Sequence, residues 1–97
     1  MRVIARKTLR DFYEHHADGK TPLEAWFHET EAAGWQRPQK IKNRYLSADF
    51  LPGNRAVFNI KGNAYRLIVK MHYNTGIVFI RFVGTHAEYD KIDATTI

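Results

Sequence analysis

Residues 55–93 read RAVFNIKGNAYRLIVKMHYNTGIVFIRFVGTHAEYDKID, with Asn59, Arg66, Lys70, Arg81, His86 and Tyr89 set among β-branched and aromatic residues. Cations gathered on one surface bind an anion, and a histidine beside a tyrosine offers proton transfer. Thr85-His86-Ala87-Glu88 fits the S/T-x-x-E capping box, with Thr85 as N-cap, His86 at N1 and Tyr89 at N4. His86 and Tyr89 then lie one turn apart on the same side of a helix. A helix start presents free N–H groups and the positive end of the dipole, which suits a phosphate and favours a neutral imidazole at His86. The bland alternatives are a surface histidine and a half-buried packing tyrosine.

The elements that must position these side chains are three strands at 57–61, 64–73 and 77–83. Gly62-Asn63 and Asn74-Thr75-Gly76 supply the turns between them. A two-residue Gly62-Asn63 loop pairs Lys61 with Ala64, Asn59 with Arg66 and Phe58 with Leu67. Phe58, Ile60, Tyr65, Leu67, Val69 and Met71 then share one face, and Asn59, Lys61, Arg66, Ile68 and Lys70 the other. In the second hairpin an odd loop would bury the Arg81 guanidinium among Leu67 and Val69, which costs several kcal/mol if unpaired. An even loop instead sends Val78, Ile80 and Phe82 to the core and Arg81 beside Lys70, so the even loop is expected. The same alternation also describes the solvated side of a half-buried antiparallel sheet.

Ninety-seven residues suffice for one domain with a single core, here residues 1–97. The net charge of +5 is unevenly spread, at −1 over residues 1–34, +8 over 35–84 and −2 over 85–97. A basic middle of this kind points to an anionic partner, most often nucleic acid. Lys40, Lys42 and Arg44 add to it. On a short helix after Pro38 they spread over a wide arc, and in an extended segment they line one edge. No cysteine is present, which excludes disulfides and Cys-ligated metal centres. The five histidines show no H-x-x-x-H pair, so no metal site is expected. The N-terminus lacks an apolar signal core and no stretch approaches a membrane span, so the expectation is a soluble cytoplasmic protein.

Ahead of this stretch, Val3-Ile4-Ala5 reads as a short strand, and Thr8 with Asp11 as a capping box for a helix ending at Asp18-Gly19. Leu9, Phe12, Tyr13 and His16 fall at helical spacing. Thr21 as N-cap, Pro22 at N1 and Gly34 past the C-terminus frame a second helix, whose inner stripe is Leu23, Trp26, Phe27 and Thr30. Trp26 and Phe27 are expected to pack on Leu67, Val69 and Ile80, since a sheet with one apolar face needs a helical layer. Residues 50–54 read as a loop with two apolar anchors, and 94–97 as a frayed tail.

FNIKGNAYRLIV followed by VFIRFVGTHAEYDKID resembles the HigB toxins of bacterial toxin–antitoxin modules, which share an N-x-x-G-N-x-x-R-L hairpin and a T-H-x-E-Y-D segment. The likeness is specific over about 40 residues from Val57 and looser before it. It implies a RelE-like α+β domain, with an N-terminal strand and helices on one face of a twisted antiparallel sheet and a short C-terminal helical segment. It also implies an endoribonuclease that cleaves mRNA, commonly on the ribosome, with no cofactor. The implied partner is a HigA-type helix-turn-helix antitoxin, through whose complex alone operator DNA is bound.

By the same resemblance Arg66 and Arg81 match the sheet arginines that clamp the phosphate, with His86 and Tyr89 as proton-transfer candidates. Asn59 would orient a ribose or base. Lys61, Lys70 and Lys91, with Lys40, Lys42 and Arg44, complete the RNA-binding set. RelE-type relatives often carry a catalytic tyrosine near the very end of the chain, whereas Tyr89 is followed by a further Asp90-Lys91, so His86 and Tyr89 both stay open as the base. The competing reading is a non-catalytic RNA- or ribosome-binding module.

Overall fold

The polar–apolar alternation of residues 55–85 folds as a three-strand antiparallel meander, which the rest of the chain extends and covers in a computed structural model describing residues 1–97. In chain order the elements are β1 (Arg2–Ile4), α1 (Arg6–His15), a single 3₁₀ turn (Ala17–Gly19), α2 (Lys20–Ala32), α3 (Pro38–Arg44), β2 (Asp49–Leu51), β3 (Arg55–Ile60), β4 (Tyr65–His72), β5 (Ile77–Thr85) and α4 (His86–Tyr89). The five strands form one sheet in the order β1-β5-β4-β3-β2. All neighbours are antiparallel except β1, which runs parallel to β5. The sheet is therefore mixed, with its parallel pair at one edge.

The β3–β4 register is the expected one, with Asn59 opposite Arg66 and Phe58 opposite Leu67. The ladder stops one pair early, at Ile60 and Tyr65, because Lys61 and Gly62 both take positive φ (50° and 62°). Across the second hairpin His72 pairs with Ile77, leaving the even loop of residues 73–76. Val78 faces Met71 and Ile80 faces Val69 as that loop requires. The regular alternation then breaks. A bulge at Arg81 shifts the register, so Phe82 pairs with Ile68 and Val83 with Leu67. Val83, not Phe82, therefore joins the core, and Arg81 does not stand beside Lys70, whose partner is Phe79. A bulge of this kind adds one unpaired residue and increases local twist.

The apolar face of the meander packs under the helices. Leu23, Trp26 and Thr30 of α2 are buried at helical spacing, with Leu9 of α1 and Ile41 of α3. Trp26 is 2% exposed and meets Phe58 edge-on at 5.5 Å, while Trp35 and Tyr45 also pack against Phe58. Phe27 departs from expectation. It is half-buried under the Arg6 guanidinium, 4.3 Å from its ring centroid, so it lies at the margin of the core.

Several local signals acted otherwise than their sequence suggested. The first helix starts at Arg6 after Ala5, with no side-chain cap, so Thr8 and Asp11 form no capping box. The second starts at Lys20, one residue ahead of Thr21, and Thr21 caps nothing. Of residues 50–54, read as loop, Phe50 and Leu51 belong to the edge strand β2, where Phe50 is 36% exposed. Residues 94–97 are not frayed. The Thr95 N–H and hydroxyl donate to the Asp93 carboxylate, and Ile97 oxygen accepts from Arg55 and Arg81.

No helix is long and apolar enough to cross a membrane.

The 3₁₀ turn is tied to the β3–β4 hairpin by Asp18, whose carboxylate accepts from Lys61 Nζ and Tyr65 OH. Lys61 first, then Tyr65, holds that carboxyl below the usual carboxylate range. A depressed carboxyl stabilises the fold above its unfolded pKa of about 4, and the contribution is lost as pH falls through the folded value. Asp18→Asn should therefore lower the melting temperature at neutral pH and lose less than the parent on acidification toward pH 3. Parallel melts in which both proteins show the same acid-limb slope would contradict this.

Candidate active site

Arg66 lies near the start of the central strand β4, on the face turned away from the helical core, opposite Asn59 on β3 and Gly84 on β5. Its Nη1 donates to Asn59 Oδ1, and its guanidinium carbon lies 5.4 Å from the Tyr89 ring centroid. An arginine between an amide acceptor and an aromatic face has its planar fork held in one orientation. Arg66 Nε is buried and has no partner. On β5, the Phe82 ring lies over Gly84, where a Cβ would come within 2.5 Å of Cζ. Glycine at 84 thus leaves room for the Phe82 ring on the bulged strand.

The turn into α4 is built by the capping box. Glu88 N–H donates to Thr85 Oγ1 (3.2 Å), and Thr85 N–H donates to Glu88 Oε1 (2.8 Å). The bond from the Thr85 backbone holds the Glu88 carboxyl below its ordinary range. His86 N–H turns to Ala64 oxygen at 3.3 Å. Two of the amides expected to receive a phosphate, those of His86 and Glu88, are therefore already engaged, and a carboxylate sits at the helix start. The helix is only four residues long. Its function is to place side chains. Tyr89 is half-buried against Arg66, and His86 is exposed with Nε2 3.4 Å from Asp90 Oδ1.

Asn59, Arg66 and Tyr89 are thus brought together, with His86 one helical turn from Tyr89. Arg81 shares their face but not their contacts. Its Nε donates to Ile97 oxygen at 3.3 Å, an acceptor it shares with Arg55 Nη2 at 2.9 Å. Lys70 stands opposite Arg55. Lys61 is taken up by Asp18 at the hairpin end, and Lys91 is exposed just past α4.

Lys40, Lys42 and Arg44 take the helical alternative. Because Ile41 of the same helix is buried in the core, they lie on the helical side of the sheet. Lys42 Nζ donates to Ala48 oxygen, and Arg44 pairs with Glu29 at 2.5 Å. A concavity lined by Glu29, Ala32, Ala33, Trp35 and Arg44 is on that side too, away from Arg66. Burial and its hydrogen bond to Glu29 push the Tyr45 phenol well above its usual value.

Arg55 is the basic residue of this face that the sequence reading left out. The signal was present, since Arg55, Val57 and Asn59 alternate onto one face and the β3–β4 register sets Arg55 opposite Lys70.

Comparison with known proteins agrees with the fold. Residues 19–92 match the HigB_toxin family, described as the RelE-like toxic component of a toxin-antitoxin system. Over 96 residues the chain is 30% identical to the mRNA interferase toxin HigB of Escherichia coli (strain K12), covering 97% of this chain and 92% of that protein. The same identity and coverage hold for the mRNA interferase HigB of Escherichia coli O157:H7 and of Shigella flexneri. A mixed sheet covered by helices on one face, the N-x-x-G-N-x-x-R-L hairpin and this match place the chain in the HigB family of RelE-like toxins of toxin–antitoxin systems.

Proposed function

We propose that this chain is an endoribonuclease that cleaves mRNA and so arrests translation, with the scissile phosphate bound at Arg66. The observation that carries the reading is the Arg66 guanidinium held between Asn59 and the Tyr89 ring, one turn from His86, in a chain whose relatives are named mRNA interferases. In the reaction the ribose 2′-oxygen attacks the adjacent phosphorus while a base takes its proton. The bond from phosphorus to the 5′-oxygen breaks, and an acid returns a proton to that oxygen. The products are a 2′,3′-cyclic phosphate and a 5′-hydroxyl.

Arg66 neutralises charge gathering on the phosphoryl oxygens, and Asn59 keeps its fork aimed. His86 and Tyr89 carry the two proton transfers, each typically contributing about 10²–10⁴ in rate. Arg81, with Lys70, supplies further positive charge along the same face. Lys61 and Lys91 lie at its rim, while Lys40, Lys42 and Arg44 present a separate basic surface to RNA or the ribosome. As a toxin of this family the chain has an antitoxin partner, which we take to be a HigA-type helix-turn-helix protein that links the pair to operator DNA. The site of action is the cytoplasm, on the translating ribosome.

The test is product chemistry. Cleaved RNA should end in a 2′,3′-cyclic phosphate or its 3′-phosphate hydrolysis product, and chelators should leave the rate unchanged. The His86→Gln/Tyr89→Phe double variant should bind RNA nearly as the parent does and cleave it far more slowly. Its rate–pH profile against the single variants assigns which group takes and which gives the proton. A requirement for a divalent metal would sink the mechanism, and a parent that binds RNA without cutting it would leave the chain a non-catalytic RNA-binding module.

A further inference from the structure

The bulge at Arg81 changes which face Phe82 serves. Unbroken alternation along β5 would send Phe82 to the core with Val78 and Ile80. The extra residue instead pairs it with Ile68, on the face that carries Arg66, and gives the core place to Val83. Bulges beside functional sites re-aim side chains in this way. The move runs against burial, since a phenylalanine ring gains most when it is fully withdrawn from water. Phe82 stays half-buried. Val57 and Ile68, the other members of its cross-strand row, are 1% and 0% exposed and lie outside the core beneath the helices. Phe82 is therefore the residue of that row that a ligand can reach.

The ring is also aimed. A Cβ at position 84 would meet Phe82 Cζ at 2.5 Å, so the ring extends along the strand over Gly84. Gly84 is the cross-strand partner of Arg66, and directly opposite Cβ positions lie about 5 Å apart. The tip of the ring is thus within roughly 8 Å of the Arg66 Cβ. Of the aromatic rings on this face, Phe79 stands edge-on to His72 and Tyr89 lies against the Arg66 guanidinium, whereas Phe82 meets neither ring nor cation. The rows on either side of it are cationic, Asn59 with Arg66 toward α4 and Arg55 with Lys70 toward the other end. Successive rows on one face are two residues apart, about 6.6 Å. Cationic rows with an aromatic ring between them match what a single strand of nucleic acid offers, charged phosphates with flat bases between.

We propose that the Phe82 ring is a stacking platform for one nucleobase of the RNA strand engaged at Arg66, on a nucleotide that adjoins the phosphate held there. This rests on the ribonuclease reading above and adds what fixes the strand's register. Phe82 takes no part in proton transfer. A base laid on the ring holds the scissile linkage against Arg66, and the platform tolerates any base because each has a π-face.

The experiment uses a non-cleavable 2′-O-methyl RNA oligonucleotide and a set of the same oligonucleotides with one base at a time removed to leave an abasic residue. The parent should lose about tenfold in affinity at one position beside the cleaved linkage, within the range for one base stacked on an aromatic ring. Phe82→Leu keeps an apolar cover over Ile68 and loses the ring face. It should bind the intact oligonucleotide about tenfold more weakly and become indifferent to that one replacement. Its salt slope should match the parent's, because no phosphate contact is lost, whereas Arg66→Ala should lower the slope by about 0.7. A 2-aminopurine at the same position should be quenched on binding the parent and stay bright with Phe82→Leu. Phe82→Tyr keeps the ring and should keep the quenching. Gly84→Ala drives a Cβ into the ring and should weaken the quenching with Phe82 itself unchanged.

If the parent binds and cleaves RNA but Phe82→Leu keeps both the quenching and the abasic sensitivity, the ring only roofs Ile68. The platform is then overturned while the ribonuclease reading survives. Should Phe82→Leu fail to fold, quenching by Gly84→Ala as strong as the parent's overturns the platform. A parent that stacks the probe without cutting RNA upholds the platform and overturns the ribonuclease. A parent that binds no RNA overturns both.

Discussion

Arg66→Ala should lower RNA cleavage by about 10²-fold or more, the usual cost of losing one positioned charge at a site where charge develops in the transition state. The side chain is not needed to hold the sheet. It projects from the face away from the helical core, and its two contacts, Asn59 Oδ1 and the Tyr89 ring, are both candidate site groups. The melting temperature should therefore move little compared with the rate. Arg66→Lys is the sharper comparison. It keeps a cation but loses the planar fork between Asn59 and Tyr89, so it should recover only part of the lost rate. Single-turnover cleavage of a defined RNA, with circular dichroism melts of each variant, provides the measurement. An Arg66→Ala protein that cuts within a few-fold of the parent would remove the proposed centre from this face.

The largest effect on stability should come from Trp26→Ala, at about 3–5 kcal/mol. Trp26 projects from the middle of α2 into the only layer that covers the apolar side of the sheet, 2% exposed and edge-on to Phe58. Phe58 also receives Trp35 and Tyr45, so the cavity left by the indole opens onto a cluster whose other rings are already committed. Little relaxation is available. The neighbouring Phe27→Ala should cost less, because Phe27 is half-buried and lies under an exposed arginine. Urea titrations of the two variants rank them directly, and an equal or reversed order would show that α2 meets the sheet differently.

The parts of this fold legible in the sequence are those where one local rule had no competitor. The β3–β4 register followed from apolar alternation through Phe58, Ile60, Tyr65, Leu67 and Val69, and the Thr85–Glu88 capping box from four residues. The second helix start was misplaced because threonine caps a helix only where its own backbone is extended, and the helix is already under way at Lys20 (φ −60°, ψ −56°). Gly19 has helical dihedrals, so α2 begins a residue ahead of Thr21, and Thr21 is left within the first turn. The β5 bulge was invisible because alternation carries no mark of an extra residue. Arg81 satisfied the expected face while Phe82 and Val83 exchanged theirs. The C-terminal turn was illegible for another reason. Its anchors are arginines at 55 and 81, far away in sequence, and nothing within residues 93–97 announces them.

The bulge carries a consequence for how freely position 81 can change. Val69 pairs with Ile80 and Ile68 with Phe82, so Arg81 is the one residue of β5 without a counterpart on β4. Removing it from the gene would join two halves of a strand that already face the right partners. A chain one residue shorter here would keep the same β4–β5 partners and the same Gly84 and Thr85 placement. The cation at 81 is therefore carried outside the ladder, so changing it should leave the pairing on either side in place.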